Sequence, residues 1–259
     1  MKKKVPDSAI SNTFREAMCL AKHFGVDYIW IDSLCIMQQD FNDWATEPLR
    51  MSDVYKGAIC NFAASAAKDG RAGLYSPRSK HLSTPCKVTM PRADMRKEKQ
   101  TIYLIDQELW LGRVTDSPLG KRAWVIQERY LAQRMIHFGY DQVFWECREV
   151  KSCEIFPDLL PSEIQTYSTD NDDNDDEQPT PNVPGDAINL ISSWSRTDLS
   201  QQQVLTIWDV FVSEYTNANL TNKTDKLVAI AGLAKSIMGV MNCQYLAGLW
   251  DYELHKQLL

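Results

Sequence analysis

Three carboxylates fall where an acid could act on a bound molecule. Asp32 closes the run Tyr28-Ile29-Trp30-Ile31, which is too short for a helix and rich in β-branched and aromatic residues, so it reads as a buried strand. Ligands of open parallel sheets gather beyond the carboxyl ends of strands, which makes Asp32 a candidate contact. The plainer alternative is an Asp that caps a turn through nearby backbone N–H groups. Glu47 projects onto the same helical side as Trp44, Met51, Val54, Tyr55 and Ala58, a carboxylate inside an otherwise apolar stripe. Desolvation there would raise its pKa toward the range useful for proton transfer or for stabilising a developing cation. Pro48 supports a second reading, because proline is comfortable only in a first helical turn. A helix starting at Thr46 would leave Glu47 as a first-turn acid favoured by the dipole. Glu128 lies between Trp124 and Leu131 on one helix face, where Arg122 and Arg129 are near enough for a structural ion pair.

Other chemistries find little support. His23, His81, His137 and His255 are far apart in sequence, no Cys-x-x-Cys or His-x-x-x-His pairing occurs, and Cys147 and Cys153 do not cluster as zinc ligands do. No metal site is expected. Gly70-Arg71-Ala72-Gly73 lacks both the third glycine of a dinucleotide fingerprint and the Lys-Ser/Thr of a phosphate loop, so it reads as a turn. The Gly-x-Ser-x-Gly elbow of one serine-hydrolase architecture is also missing.

The elements that must position the acids follow from periodicity. Phe14, Ala17, Met18, Ala21 and Phe24 recur at helical spacing, which predicts a helix over residues 12–24 that Gly25 stops. A second helix is predicted over residues 47–57 and a second buried strand over 58–64. Helix, strand, helix, strand is the order of parallel βαβ units. Residues 87–100 read as polar and irregular, and 101–105 as a further strand. Pro118 is expected to open the helix that carries Trp124, Gln127, Glu128 and Leu131. Strands near 135–138 and 142–147 flank Gly139-Tyr140-Asp141, which is expected to be a hairpin turn. Leu205, Trp208, Phe211, Val212 and Tyr215 form one apolar helical face near the end of the chain. Leu227, Ile230, Ala231, Ala234, Ile237 and Met238 form another, with Thr224 as the expected N-cap between them.

The chain has 259 residues, 44% of them hydrophobic and 24% charged, which is ordinary globular composition. Its net charge is −6, and Asp170, Asp172, Asp173, Asp175, Asp176 and Glu177 alone supply that excess. A near-neutral body offers no broad positive field, so no nucleic-acid partner is expected. No apolar run is long enough for a membrane span, and Lys2, Lys3 and Lys4 are not followed by a signal-peptide core. Seven cysteines spread over a long chain fit reduced thiols in an intracellular protein. The acidic run and five prolines mark residues 157–185 as a surface loop or linker.

At this point the residues resemble a known family. Tyr28-Ile29-Trp30-Ile31-Asp32-Ser33-Leu34-Cys35-Ile36, with Gln38, Asp40, Asp43-Trp44, Glu47, Met51, Val54-Tyr55 and Ala58, is similar to the core motif of the fungal heterokaryon incompatibility (HET) domain. A second block, Pro118-Leu119, Arg122, Trp124-Val125, Gln127-Glu128-Arg129, Leu131, Arg134, His137-Phe138 and Phe144-Trp145-Glu146-Cys147, resembles the family's second motif. Between them Gly73-Leu74-Tyr75 and Arg78 resemble the family's Gly-Leu-Phe/Tyr element ending in Arg. Asp225-Lys226-Leu227, Ala229-Ile230, Gly232-Leu233-Ala234 and residues 245–250 resemble the C-terminal portion of such proteins.

The resemblance implies a cytoplasmic protein of fungal non-self recognition, a signalling or cell-death effector module that acts through self-association or protein partners. It also implies a distant likeness to TIR domains, and with it a TIR-like or flavodoxin-like parallel sheet with helices, an antiparallel hairpin and a helical C-terminal part. Residues 1–150 would be the HET core, 151–185 the acidic Pro-rich linker, and 186–259 a helical segment packed on the core. Some TIR domains hydrolyse NAD with a glutamate on a helix after a strand. By that likeness Glu47 is the catalytic candidate, Asp32, Ser33, Trp44 and Arg78 are ligand contacts, and NAD is a substrate rather than a resident cofactor. Residues 1–11 contain nothing like the strand and Ser-Tyr-x-Trp-Gly-like segment with which family members begin, and the chain stops at Leu258-Leu259, where they often continue. A partial domain is therefore expected, and a non-functional remnant is the third reading.

Overall fold

The computed structural model describes residues 5–37, 40–78, 84–91, 99–161, 164 and 200–258. In chain order the elements are helix α1 (Asn12–His23), the one-turn helix α2 (Asp32–Cys35), helix α3 (Phe41–Gly57), strands β1 (Asn61–Ala63), β2 (Cys86–Pro91) and β3 (Lys99–Leu104), and helix α4 (Ala123–Leu131). Strands β4 (Arg134–Phe138), β5 (Val143–Cys147) and β6 (Lys151–Cys153) follow, then helices α5 (Gln201–Asn217) and α6 (Val228–Met241). Short strands β7 (Tyr245–Leu246) and β8 (Leu249–Trp250) and the one-turn helix α7 (Leu254–Gln257) end the described chain. This is a mixed α/β fold with an antiparallel hairpin and a helical C-terminal part.

The main sheet has the order β1-β4-β5-β6. β1 runs parallel to β4, with Phe62 opposite Ile136, while β4–β5 and β5–β6 are antiparallel. The β4–β5 hairpin turns where Gly139-Tyr140-Asp141 predicts it, and Gly139 N donates to the Gln142 carbonyl at 3.1 Å. A Cβ on Gly139 would lie 2.8 Å from that oxygen, so the close approach requires glycine. Residues 28–31 are not buried as expected, with Tyr28 exposed and 29–31 half-buried, although Ile31 keeps an extended backbone of φ −134° and ψ 120°. Among the described residues, however, they join no ladder. β-branched and aromatic residues favour an extended backbone, but a strand also needs a neighbour to take its N–H and C=O groups.

Several boundaries differ from the sequence expectations. β2 pairs antiparallel with β3, although residues 87–100 read as irregular. Their side chains are mostly exposed, so neither strand carries the buried face that makes a strand legible. α4 begins at Ala123 rather than near Pro118, and residues 118–121 form a turn. Thr224 does not cap α6: it lies in a separate 3-10 turn, Lys223–Asp225, whose cap is the Asn222 side chain accepting from Thr224 N. α3 starts at Phe41, which places Glu47 almost two turns into the helix and removes the first-turn reading. Pro48 is thus interior, and it lacks the N–H that would bond to the carbonyl of residue 44.

The principal core lies where α4, α5 and α6 meet, around the fully enclosed Trp208, Phe211, Ile207, Leu233, Ile237, Met241 and Trp250. Each such aliphatic or aromatic side chain contributes about 1.5–3 kcal/mol through burial. Tyr130 of α4 and Phe211 of α5 meet edge to face at 4.2 Å between centroids. Gln127 ties α4 to α6 by accepting from Gly232 N at 2.8 Å, and Ser52 of α3 closes on the same glycine. On the other side of the sheet α1 carries Glu16, whose carboxylate accepts from Leu74 N at 2.6 Å. That bond pins the Gly73-Leu74-Tyr75 element, and Gly73 supplies the positive φ of 86° that the turn needs.

Candidate functional site

The two motif blocks converge on one cluster of acids. α2 caps the extended segment, with Leu34 N and Cys35 N both donating to the Ile31 carbonyl, and this turn presents Asp32 at its start. Ser33 N donates to Asp32 Oδ1 at 2.6 Å, and both residues are exposed. Behind them Trp30 packs edge to face on Tyr55 of α3, with centroids 5.8 Å apart. The Tyr55 hydroxyl donates to the Glu128 carboxylate of α4. Asp32 adds its charge to both groups, and Arg122, at the N-cap of α4, opposes it.

Glu128 is the electrostatic centre of this cluster. Burial pushes its pKa up to about 7; the Tyr55 hydrogen bond and Arg122 pull it back, while the Asp32 charge adds to the rise. The acid therefore exchanges its proton near neutral pH, the property required of a general acid or base. Burial and the adjacent Glu128 carboxylate drive the Tyr55 hydroxyl far above its ordinary value, so it stays a donor. The structure corrects the expected ion pair of Glu128 with Arg129. Arg129 points instead to Glu146, with Nε–Oε2 at 2.8 Å and Nη2–Oε1 at 2.9 Å.

A second polar cluster lies beneath the sheet and was not anticipated. His137 Nε2 sits 2.9 Å from Glu146 Oε2, and Ser65 Oγ is 3.4 Å from His137 Nδ1. Burial lowers the His137 pKa against the pull of Glu146, and the Arg129 and Lys151 charges lower it further. The imidazole is thus neutral at pH 7. Burial opposes the Glu146 charge, yet the Arg129 pair holds this carboxyl far below the usual carboxylate range. Trp110 closes the cluster, with Arg129 and Lys151 over its ring at 5.8 and 5.2 Å. Ser, His and Glu in line suggest nucleophilic catalysis, but Ser65 is 1% and His137 3% exposed, so a substrate has no approach to either. The cluster is a structural pin between α4 and the hairpin. Its sequence signal is the alternation that turns both His137 and Glu146 inward on paired strands.

The other predicted residues are distributed as follows. Glu47 has a side chain 19% exposed and pairs with Arg50 at 3.3 Å. It shares one face of α3 with Met51, which is buried, and Tyr55, two turns and about 12 Å along the axis. Arg78 pairs with Glu154. Cys35 is exposed, and Trp145 and Cys147 are half-buried in β5. Trp124 packs against the helical core, and Gln127 is fully buried. Trp44 lies within α3, and its side chain, like Gln38, is outside the described residues. The acidic run also lies outside them. Among the described residues no group of three or more His, Cys, Asp or Glu could hold a metal ion, and no helix is long and apolar enough to cross a membrane.

Residues 1–128 match the family model described as Heterokaryon incompatibility protein (HET). The match ends on Glu128 and so contains Asp32, Tyr55 and the whole acid cluster. This part of the chain is a HET domain, which gives the protein a role related to heterokaryon incompatibility and a fungal context. No curated protein and no solved structure matched the chain.

Proposed function

We propose that the protein is an effector module of fungal non-self recognition, which acts in the cytoplasm and signals growth arrest or cell death through self-association. The observation that supports this reading is the outer edge of β1. Among the described residues β1 is a three-residue strand at the edge of its sheet that pairs with β4 alone, and a sheet edge is where a further strand can add. Tyr28, 89% exposed, and Ile59, 68% exposed just before β1, add uncovered apolar surface. Expression of the chain in fungal hyphae is expected to arrest growth, and Tyr28→Lys with Ile59→Lys is expected to abolish the arrest. An inert wild-type protein that accumulates in soluble form would overturn the reading.

A second reading, hydrolysis of NAD in the manner of some TIR domains, draws on the shielded Glu47 carboxylate in the apolar stripe of α3. Nicotinamide release on incubation with NAD is the measurement. Loss of that release in Glu47→Ala supports the assignment, and equal release removes it.

A further inference from the structure

At the C-terminal end of α3, beyond Glu47 and Tyr55, positive charge gathers where α3, α6 and the sheet meet. Lys56 Nζ donates to Ser236 Oγ of α6 at 2.6 Å, and that hydroxyl donates in turn to the Gly232 carbonyl at 2.8 Å. Lys235, the neighbour of Ser236, reaches Asp53 of α3 at 4.0 Å. Gln133 Nε2 donates to the Lys56 carbonyl at 2.8 Å, which draws the start of β4 against the end of α3. The register then places Cys147 opposite Arg134, so Arg148, the next residue after β5, emerges at the same edge. Burial lowers the Lys56 pKa; Asp53 opposes the fall, and Lys235 and Arg148 deepen it. Among the described residues, Lys235 and Arg148 thus add positive charge around Lys56 and Asp53 offsets part of it, in a protein whose net charge is −6.

We propose that Lys56, Lys235 and Arg148, with the Ser236 hydroxyl, form a binding site for a phosphate dianion, either the free ion or a phosphomonoester. A doubly negative ligand suits three cations, Lys56, Lys235 and Arg148, of which Asp53 offsets one. The set of donors suits the ligand: an ammonium acts as a point charge, a guanidinium as a planar fork, and a hydroxyl can rotate to either role. Lys56 is half-buried and wedged between helices, so part of its ordering is met by the fold before any ligand arrives. The site lies outside the acid cluster and is independent of the effector reading.

The test is titration of the whole chain with inorganic phosphate, phenyl phosphate and, at matched ionic strength, chloride, followed by calorimetry and by phosphorus NMR line width. Saturable binding of a phosphate probe is expected, weakened about tenfold or more in Lys56→Met and in Arg148→Gln, as for loss of a charge-assisted hydrogen bond. Asp53→Asn should tighten it severalfold, a change that a purely structural Lys56–Ser236 link does not produce. Tighter binding of phenyl phosphate assigns the site to phosphomonoesters, and tighter binding of the inorganic ion to free phosphate. Arg148→Gln leaves the α3–α6 contact intact and serves if Lys56→Met fails to fold. The proposal is overturned if chloride reproduces the phosphate response, or if affinity is unchanged in both cation variants.

Discussion

Replacing Glu128 with Gln removes a carboxyl that resists ionisation while keeping its size and its ability to accept from Tyr55. In the unfolded chain this acid titrates near its ordinary value of 4.5, and in the folded protein near about 7. A folded pKa raised above the unfolded one means that the folded state binds its proton more tightly. The wild type therefore suffers no penalty below pH 4.5, loses stability as pH rises through 7, and levels off above it. At 1.36 kcal/mol per unit the full loss is about 3 kcal/mol relative to Gln. That corresponds to roughly 6–12 °C in Tm for a chain of this size. The assay is paired denaturant unfolding of wild type and Glu128→Gln from pH 4.5 to pH 8.5, taking the difference curve. Glu146, whose folded pKa lies far below the usual range, and His137 are common to both proteins and cancel. A flat difference curve would refute the reasoning, and so would one in which wild type gains on the variant as pH rises.

Further expectations follow from the packing. Gly232→Ala would put a Cβ 2.7 Å from Gln127 Oε1 and 2.9 Å from Ser52 Cβ, and should cost about 1–3 kcal/mol in chemical denaturation. Glu146→Ala strands the Arg129 guanidinium beneath the sheet and should destabilise by about 3–5 kcal/mol, more than an Arg129→Met, Glu146→Leu double variant measured in the same way. Glu47→Ala, whose partner Arg50 is 67% exposed, should change stability by no more than about 0.5 kcal/mol, so any loss of function in it reports on chemistry rather than folding. Phe211→Ala should cost about 3–5 kcal/mol, since it opens the middle of the helical core against Tyr130.

The parts of the fold that bury one face were legible in the sequence. Leu205, Trp208, Phe211 and Tyr215 point inward on α5 as their spacing requires, and the Gly139 turn joins two alternating strands. Two-sided exposure hid the β2–β3 pair, because nothing in its composition distinguishes one face from the other. The limits of α3 were obscured by Pro48, whose local preference for a first turn is overridden by the length of helix packed on α4 and α6. At the candidate site the types of residue were readable and their partners were not. Asp32, Tyr55, Arg122 and Glu128 all fall within the recognised blocks, but only the crossing of α3 and α4 brings the Tyr55 hydroxyl to Glu128 and sends Arg129 to Glu146. Lys56 and Ser236 are 180 residues apart, beyond the reach of any local pattern.

Sedimentation of the purified chain from micromolar to near-millimolar concentration tests the effector reading most directly, because self-association through the β1 edge and the exposed Tyr28 and Ile59 makes mass depend on concentration. Reversible assembly is predicted for the wild type, with a monomer throughout for the Tyr28→Lys, Ile59→Lys double variant at unchanged Tm. A wild type that sediments as a monomer over the whole range, or assembly that survives both substitutions, would contradict it.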